Sequence, residues 1–208
     1  MTDGDPSRNA RRDRDLAPSV WAGVDVGGRR KGFHVALIGR RRLLHLERAS
    51  SAATAAALLR AHRPVLVAVD GPRRAAATGR ARDDEIAFAR AGICHIRFTP
   101  TARVVRSNPH FEWVCHGLEL YELIDRDGLR AIECFPTASW TVWGGRRSGN
   151  RAGWSDRVLR RMGLGSVPDR LGQDFRDAIG AALTAREHDQ GRTRAYGEIV
   201  VPSVPLHY

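Results

Sequence analysis

Three acidic residues interrupt or end apolar runs. Asp25 lies in Val20-Trp-Ala-Gly-Val-Asp-Val, Asp70 closes Val65-Leu-Val-Ala-Val-Asp, and Glu133 lies in Ala131-Ile-Glu-Cys-Phe-Pro. A carboxylate in such a run is costly to bury unless it is paired, hydrogen-bonded or bound to metal. One case reads as a local hydrogen-bond acceptor; three call for a shared explanation. If their strands are parallel neighbours, the carboxylates converge at the sheet edge where open α/β sheets bind ligands. Converging carboxylates raise each other's pKa unless a cation intervenes. Oxygen-only ligands select hard ions, here Mg²⁺ or Mn²⁺.

Asp174 and Asp177 stand three apart in a helical pattern, so both fit on one helix face. Asp177 abuts the run Ala178-Ile179-Gly180-Ala181-Ala182 and is the stronger candidate. The plain alternative for both is stabilisation of the helix N-terminus. The expected catalytic set is Asp25, Asp70, Glu133 and Asp177, with Asp174 as a further metal ligand. For Glu133 the plain alternative is a buried pair with an arginine. Arg29, Arg30 and Lys31 follow Asp25, Arg73 and Arg74 follow Asp70, and Arg82 opens a helix. These six are candidates for phosphate contact, weighed against a merely solvated basic face. Asp25-Val-Gly-Gly also resembles a phosphate-handling turn. The histidines show no zinc spacing, and no GxSxG elbow is present.

The elements that position these residues follow from periodicity. Val20–Val26, Gly32–Gly39 and Leu43–Arg48 read as a three-strand antiparallel meander. A helix capped by Ser50 or Ser51 runs to about His62, and Val65–Asp70 is a doubly buried strand. Helices are expected over Asp83–Ala91, Phe111–Ile124, Pro136–Val142, Ser155–Met162 and Leu171–Arg186. Further strands are expected over Ile93–Phe98, Leu129–Phe135 and Ile199–Val201. Thr99–Pro109 and Gly144–Gly153 read as loops, the second as mobile. Meander, helix, then parallel strand is the element order of an RNase H-like α/β fold: a mixed central sheet with helices on both faces. Residues 1–19 read as a disordered tail and residues 20–208 as a single domain of ordinary size.

Composition excludes several classes. No apolar run approaches the roughly 20 residues of a membrane span, and the N-terminus lacks the apolar core of a secretory signal. A cytoplasmic location is expected. Cys94, Cys115 and Cys134 match no zinc pattern, and an odd count argues against a disulfide framework, so all three are expected as buried apolar side chains. The chain carries 34 basic and 23 acidic residues, net +11. This balance favours a polyanionic partner, DNA or RNA.

The motifs VDVGG, VAVDGPR, RxRDDE, IECFPTASW and DFRDAIGAALTA occur in this order between about Trp21 and Glu187. Together they resemble the bacterial and archaeal domain of unknown function 429, a family described as predicted RNase H-like nucleases. The resemblance implies that fold and a carboxylate cluster. Asp25 falls at the family's first-strand Asp and Asp70 at its acidic residue after the fourth strand. Glu133 falls at its strand-borne Glu, and Asp177 at the Asp opening its last helix. Cys134-Phe135-Pro136 stands where many relatives carry a histidine before the proline, so that histidine is missing here.

Three functions compete at this level. The first is a nuclease using two Mg²⁺ or Mn²⁺ ions about 4 Å apart. The second is a catalytically inactive nucleic-acid-binding module, which carboxylates more than about 8 Å apart would favour. The third is an actin-like ATPase-type protein, for which the chain is too short to supply a second lobe.

Overall fold

The computed structural model describes residues 19–203, so all but the last residue of the expected tail lies outside the described residues. Seven strands form one sheet: β1 (Trp21–Val26), β2 (Phe33–Ile38), β3 (Leu43–Ala49), β4 (Leu66–Asp70), β5 (Ala131–Cys134), β6 (Thr193–Tyr196) and β7 (Ile199–Pro202). Their order is β3-β2-β1-β4-β5-β7-β6. The meander β1–β3 is antiparallel, β1, β4, β5 and β7 run parallel, and β6 returns antiparallel beside β7.

The helices are α1 (Ala52–His62), α2 (Asp83–Arg90), α3 (Ala102–Ser107), α4 (Glu112–Arg126), α5 (Pro136–Gly144), α6 (Arg151–Arg161) and α7 (Gln173–Asp189). Ser51 starts α1 by accepting the Thr54 N–H, and Arg63 ends it in the left-handed conformation just before Pro64. Both features satisfy backbone groups that a helix end leaves open.

Strand alternation sorts the core into two layers, because successive side chains point to opposite faces. Ala22, Val24, Val67 and Val69 pack under Ala55 and Leu59 of α1 and Leu120 and Ile124 of α4. Trp21, Ala36, Leu66, Ala68 and Cys134 pack against Ala178, Ile179 and Ala182 of α7, with Trp140 and Trp143 of α5 and Trp154 of α6. The alanine-rich face of α7 lets it lie directly on β1. A Cβ at Gly23 would stand 2.1 Å from the Ala178 carbonyl and from the Ala182 nitrogen, so only glycine permits that approach. The contact fixes where the start of α7, and with it Asp174 and Asp177, meets the end of β1.

Several local expectations are corrected. Ile93–Phe98 is irregular, and Ala102–Ser107 is a short helix inside the expected loop. The strand expected at Ile199 is present as β7. It lies between β5 and β6, and the hairpin partner β6 was not anticipated. Part of the segment read as a mobile loop is the start of α6, whose N-terminus Asn150 caps by accepting the Gly153 N–H. Cys134 is buried, but Cys94 and Cys115 are only half-buried; all three are free thiols. No helix among the described residues is long and apolar enough to cross a membrane.

Candidate metal centre at the strand edge

Asp25 and Asp70 are register partners at the ends of the neighbouring parallel strands β1 and β4. Neighbouring strands lie about 4.8 Å apart, and paired residues point to the same face. That face is the one α7 covers. The helix begins just beyond the strand ends, so Asp174 and Asp177 in its first turns arrive beside the strand carboxylates. A cleft of about 420 Å³ opens here, lined by Asp25, Asp70, Asp174, Asp177, Lys31 and Arg151 among others.

The electrostatics record the convergence. Burial pushes the Asp70 carboxyl well above the ordinary range; the charges of Asp25 and Asp177 add to this, Arg151 opposes it, and Glu133 adds a smaller push. Among the described residues no donor hydrogen-bonds the Asp70 carboxylate. Asp177 is nearly buried, and its carboxyl is pushed up to about 6 by burial, against the Arg151 charge and the Trp140 and Gln173 hydrogen bonds. Trp140 Nε1 and Gln173 Nε2 donate to its Oδ1 at 2.9 and 3.1 Å, and Arg151 to its Oδ2 at 2.8 Å. Asp174 receives the Lys31 ammonium at 3.0 and 3.1 Å. One potential ligand atom from each of Asp25, His34 and Asp174 lies within 4.8 Å of the other two. Four carboxylates line the cleft, and two of them, Asp25 and Asp70, have no hydrogen-bond donor among the described residues. Among those residues only Asp25 and Asp174, with His34, stand at metal-ligand spacing, and such a set suits a divalent cation.

Glu133 departs from the expected set. Its register partner is Val69, not Asp70, so alternation turns it to the opposite face of the sheet. There the Arg82 guanidinium grips both oxygens, one at 2.7 Å and the other through a shorter contact, and the Arg73 N–H adds a third bond at 2.9 Å. Glu133 is therefore the buried arginine pair of the plain reading. Burial still outweighs these partners and leaves its carboxyl raised.

Arg82 is likewise no rim residue. Its side chain is 1% exposed and bonds Glu85 as well as Glu133, so its guanidinium is already paired where it meets the cleft. Arg73 turns its guanidinium to Asp125 and the Ala131 carbonyl, over the Tyr121 ring, and Arg74 pairs with Asp84 and Glu198. Arg29, 86% exposed, pairs loosely with Glu112, and Arg30 is exposed. Of the six candidates, Lys31 and the buried Arg82 line the cleft, and Lys31 alone pairs with one of its aspartates.

The glycine turn closes on itself. Gly27 N–H bonds the Gly32 carbonyl, Lys31 and Gly32 N–H bond Gly28, and Arg29 N–H bonds Glu112. These donors are spent within the turn or on Glu112, which removes the support for a phosphate cradle. Sequence reasoning missed two site residues. Arg151 fell in the supposed loop. His34 stands opposite Asp25 in the β1–β2 register, a placement that the alternation of the hairpin could have shown.

The raised carboxyls carry a signed consequence for stability. Between about pH 4 and 6 the folded chain holds a proton on Asp177 that the unfolded chain has released, and Asp70, also raised, acts in the same direction. Stability from these groups therefore falls as pH rises through that window. In chelator, Asp70→Asn should melt above the wild type at pH 7.5, and the gap should narrow as pH falls to 5. Melting curves at constant ionic strength check this; a gap that widens toward pH 5 contradicts it.

An antiparallel meander feeding parallel strands, with helices on both faces, is the RNase H-like fold. Among solved structures the chain is similar to RuvC of Thermus thermophilus: TM-score 0.50, 18% identity, covering 83% of this chain and 96% of that one. It is similar also to T. thermophilus RuvC in complex with Holliday junction substrate, at TM-score 0.52 with the same identity and coverage. At 18% identity the likeness concerns the fold alone. No family model matches the chain, and no curated protein matches it.

Proposed function

We propose that the chain is a metal-dependent nuclease that hydrolyses phosphodiester bonds of DNA or RNA, holding Mg²⁺ or Mn²⁺ with Asp25, Asp70, Asp174 and Asp177. The observation that carries this reading is the in-register pair Asp25–Asp70, half-buried beside the buried Asp177, with no hydrogen-bond donor on Asp70 among the described residues. Such a group is unfavourable as an anion unless a cation joins it. When bound, divalent ions neutralise the carboxylates and polarise the phosphoryl oxygens of the scissile ester. Glu133 stays outside the ligand set and braces Arg82 behind the β4 end.

The chain's own residues supply the rest. Arg151, 39% exposed beside Asp177, and Lys31, exposed beside Asp174, present cations at the cleft where a phosphate backbone would lie. The net charge of +11 supports a polyanionic substrate. The motif resemblance to domain of unknown function 429 supports the nuclease reading. So does the fold shared with RuvC, one structure of which contains a Holliday junction.

One observation favours the inactive binding module. Lys31 and Arg151 occupy Asp174 and Asp177 here, as they would in a protein that has dispensed with metal. A cleavage panel separates the readings: labelled single strands, duplexes, RNA–DNA hybrids and four-way junctions, each with Mg²⁺, Mn²⁺ or chelator. The nuclease reading expects metal-dependent cleavage of at least one substrate. Salt-sensitive binding with no turnover on any of them supports the module instead.

A further inference from the structure

We propose that His34 is a metal ligand: with Asp25 and Asp174 it forms a mixed nitrogen–oxygen set that holds Mn²⁺ in preference to Mg²⁺. The inference rests on the metal reading above and specifies which ion the centre takes.

His34 is 7% exposed, and its Nδ1 is buried with no hydrogen-bond partner among the described residues. A buried, unpaired ring nitrogen costs free energy on the order of 1–3 kcal/mol, so the position calls for a partner that the described residues do not provide. The β1–β2 register places His34 directly across from Asp25, and Nδ1 lies 3.6 Å from Asp25 Oδ2. That is too long for a hydrogen bond. It suits two ligands of one ion, which with bonds of about 2.1 Å stand roughly 3–4 Å apart. Asp174 completes the group within 4.8 Å.

The ring is held in place. Phe175, next to Asp174 on α7, meets the imidazole edge-to-face at 4.7 Å between centroids. The same helix turn thus supplies a ligand and the wedge that orients its neighbour. Lys31, the present partner of Asp174, is 64% exposed and can withdraw into solvent.

The ion preference follows from ligand chemistry. Mg²⁺ dehydrates reluctantly and takes oxygen ligands, whereas imidazole nitrogen suits transition ions. One nitrogen in an otherwise carboxylate set therefore raises Mn²⁺ affinity more than Mg²⁺ affinity.

Pulsed electron paramagnetic resonance of Mn²⁺ bound to the full chain tests the inference without any activity assay. The wild type should show ¹⁴N modulation from a coordinated imidazole, and His34→Gln should lose it. Competition titrations should show Mn²⁺ preferred over Mg²⁺. His34→Gln should weaken Mn²⁺ by about tenfold or more, since loss of even a partner that supports a ligand costs roughly 10–100-fold. The wild-type spectrum and the Mn²⁺/Mg²⁺ ratio need no variant, so misfolding of His34→Gln cannot obscure the result. Bound Mn²⁺ with no ¹⁴N modulation, or modulation that survives in His34→Gln, overturns the inference and leaves the nuclease reading standing. Absence of any Mn²⁺ binding removes both.

Discussion

Replacing Asp70 with asparagine is expected to cut phosphodiester cleavage on the order of 10³-fold or more while raising the melting temperature of the metal-free protein by about 3–6 °C at pH 7.5. The two effects have one source. The Asp70 carboxylate lies half-buried beside Asp25 and Asp177 with no donor among the described residues. As an anion it destabilises the metal-free fold, and as a ligand it is the group through which a cation relieves its neighbours. Asparagine keeps the size and removes the charge, so repulsion and ligation go together. Stability set aside at a functional site in this way is a recurring trade-off. Metal-shift assays separate the terms: Mn²⁺ should raise the melting temperature of the wild type and leave Asp70→Asn nearly unmoved. A variant that loses cleavage and stability together would mean that Asp70 is structural.

Arg82→Met is the largest expected loss of stability, about 3–5 kcal/mol, or about 10 °C in melting temperature. Arg82 is enclosed by Glu133 and Glu85, and Glu133 holds its guanidinium above the ordinary arginine pKa. Glu85 in turn accepts the N–H groups of Arg82 and Thr99, which ties the start of α2 to the segment after Phe98. Methionine fills much of the volume but leaves two buried carboxylates without their cation. Removing both sides, as in Arg82→Met with Glu133→Gln, should recover part of the loss, because the penalty lies in the unpaired charge more than in the missing pair. Glu133→Gln alone should leave Mn²⁺ affinity close to wild type, unlike Asp70→Asn, because Glu133 bonds Arg82 and Arg73 and none of the proposed ligands. Denaturant melts and Mn²⁺ titrations of the four proteins check the set. An Arg82→Met protein as stable as the wild type would contradict it.

The sequence disclosed the sheet well where its signals were long and periodic. The meander, the doubly buried run ending at Asp70 and the alanine-rich last helix all fall where the apolar pattern puts them. It disclosed less where the deciding contact is distant along the chain. The β6–β7 hairpin is short and half polar, so only pairing with β5 makes it a strand. The capping side chain of Asn150 turns a glycine- and arginine-rich stretch into a helix start.

At the candidate site, Asp25 and Asp70 meet because Ala68 and Asp70 share a face with Gly23 and Asp25. The same alternation, carried across to Ile132 and Cys134, would have turned Glu133 away. Parity along β5, not the presence of an acidic residue, decided its position. The burial of Arg82 is not legible in RxRDDE, where an arginine reads as a solvated helix start or a phosphate contact; two carboxylates draw it inside. His34 escaped because it sits in an apolar strand with no second histidine at metal spacing. Its meaning comes from the residue across the hairpin.

Crystals soaked in Mn²⁺, with anomalous scattering collected near the manganese edge, address the central claim most directly. The account predicts an anomalous peak within bonding distance of both Asp25 and Asp70, with Lys31 drawn away from Asp174. Fully soaked crystals with no peak there, and with Lys31 and Arg151 still seated on Asp174 and Asp177, would contradict it.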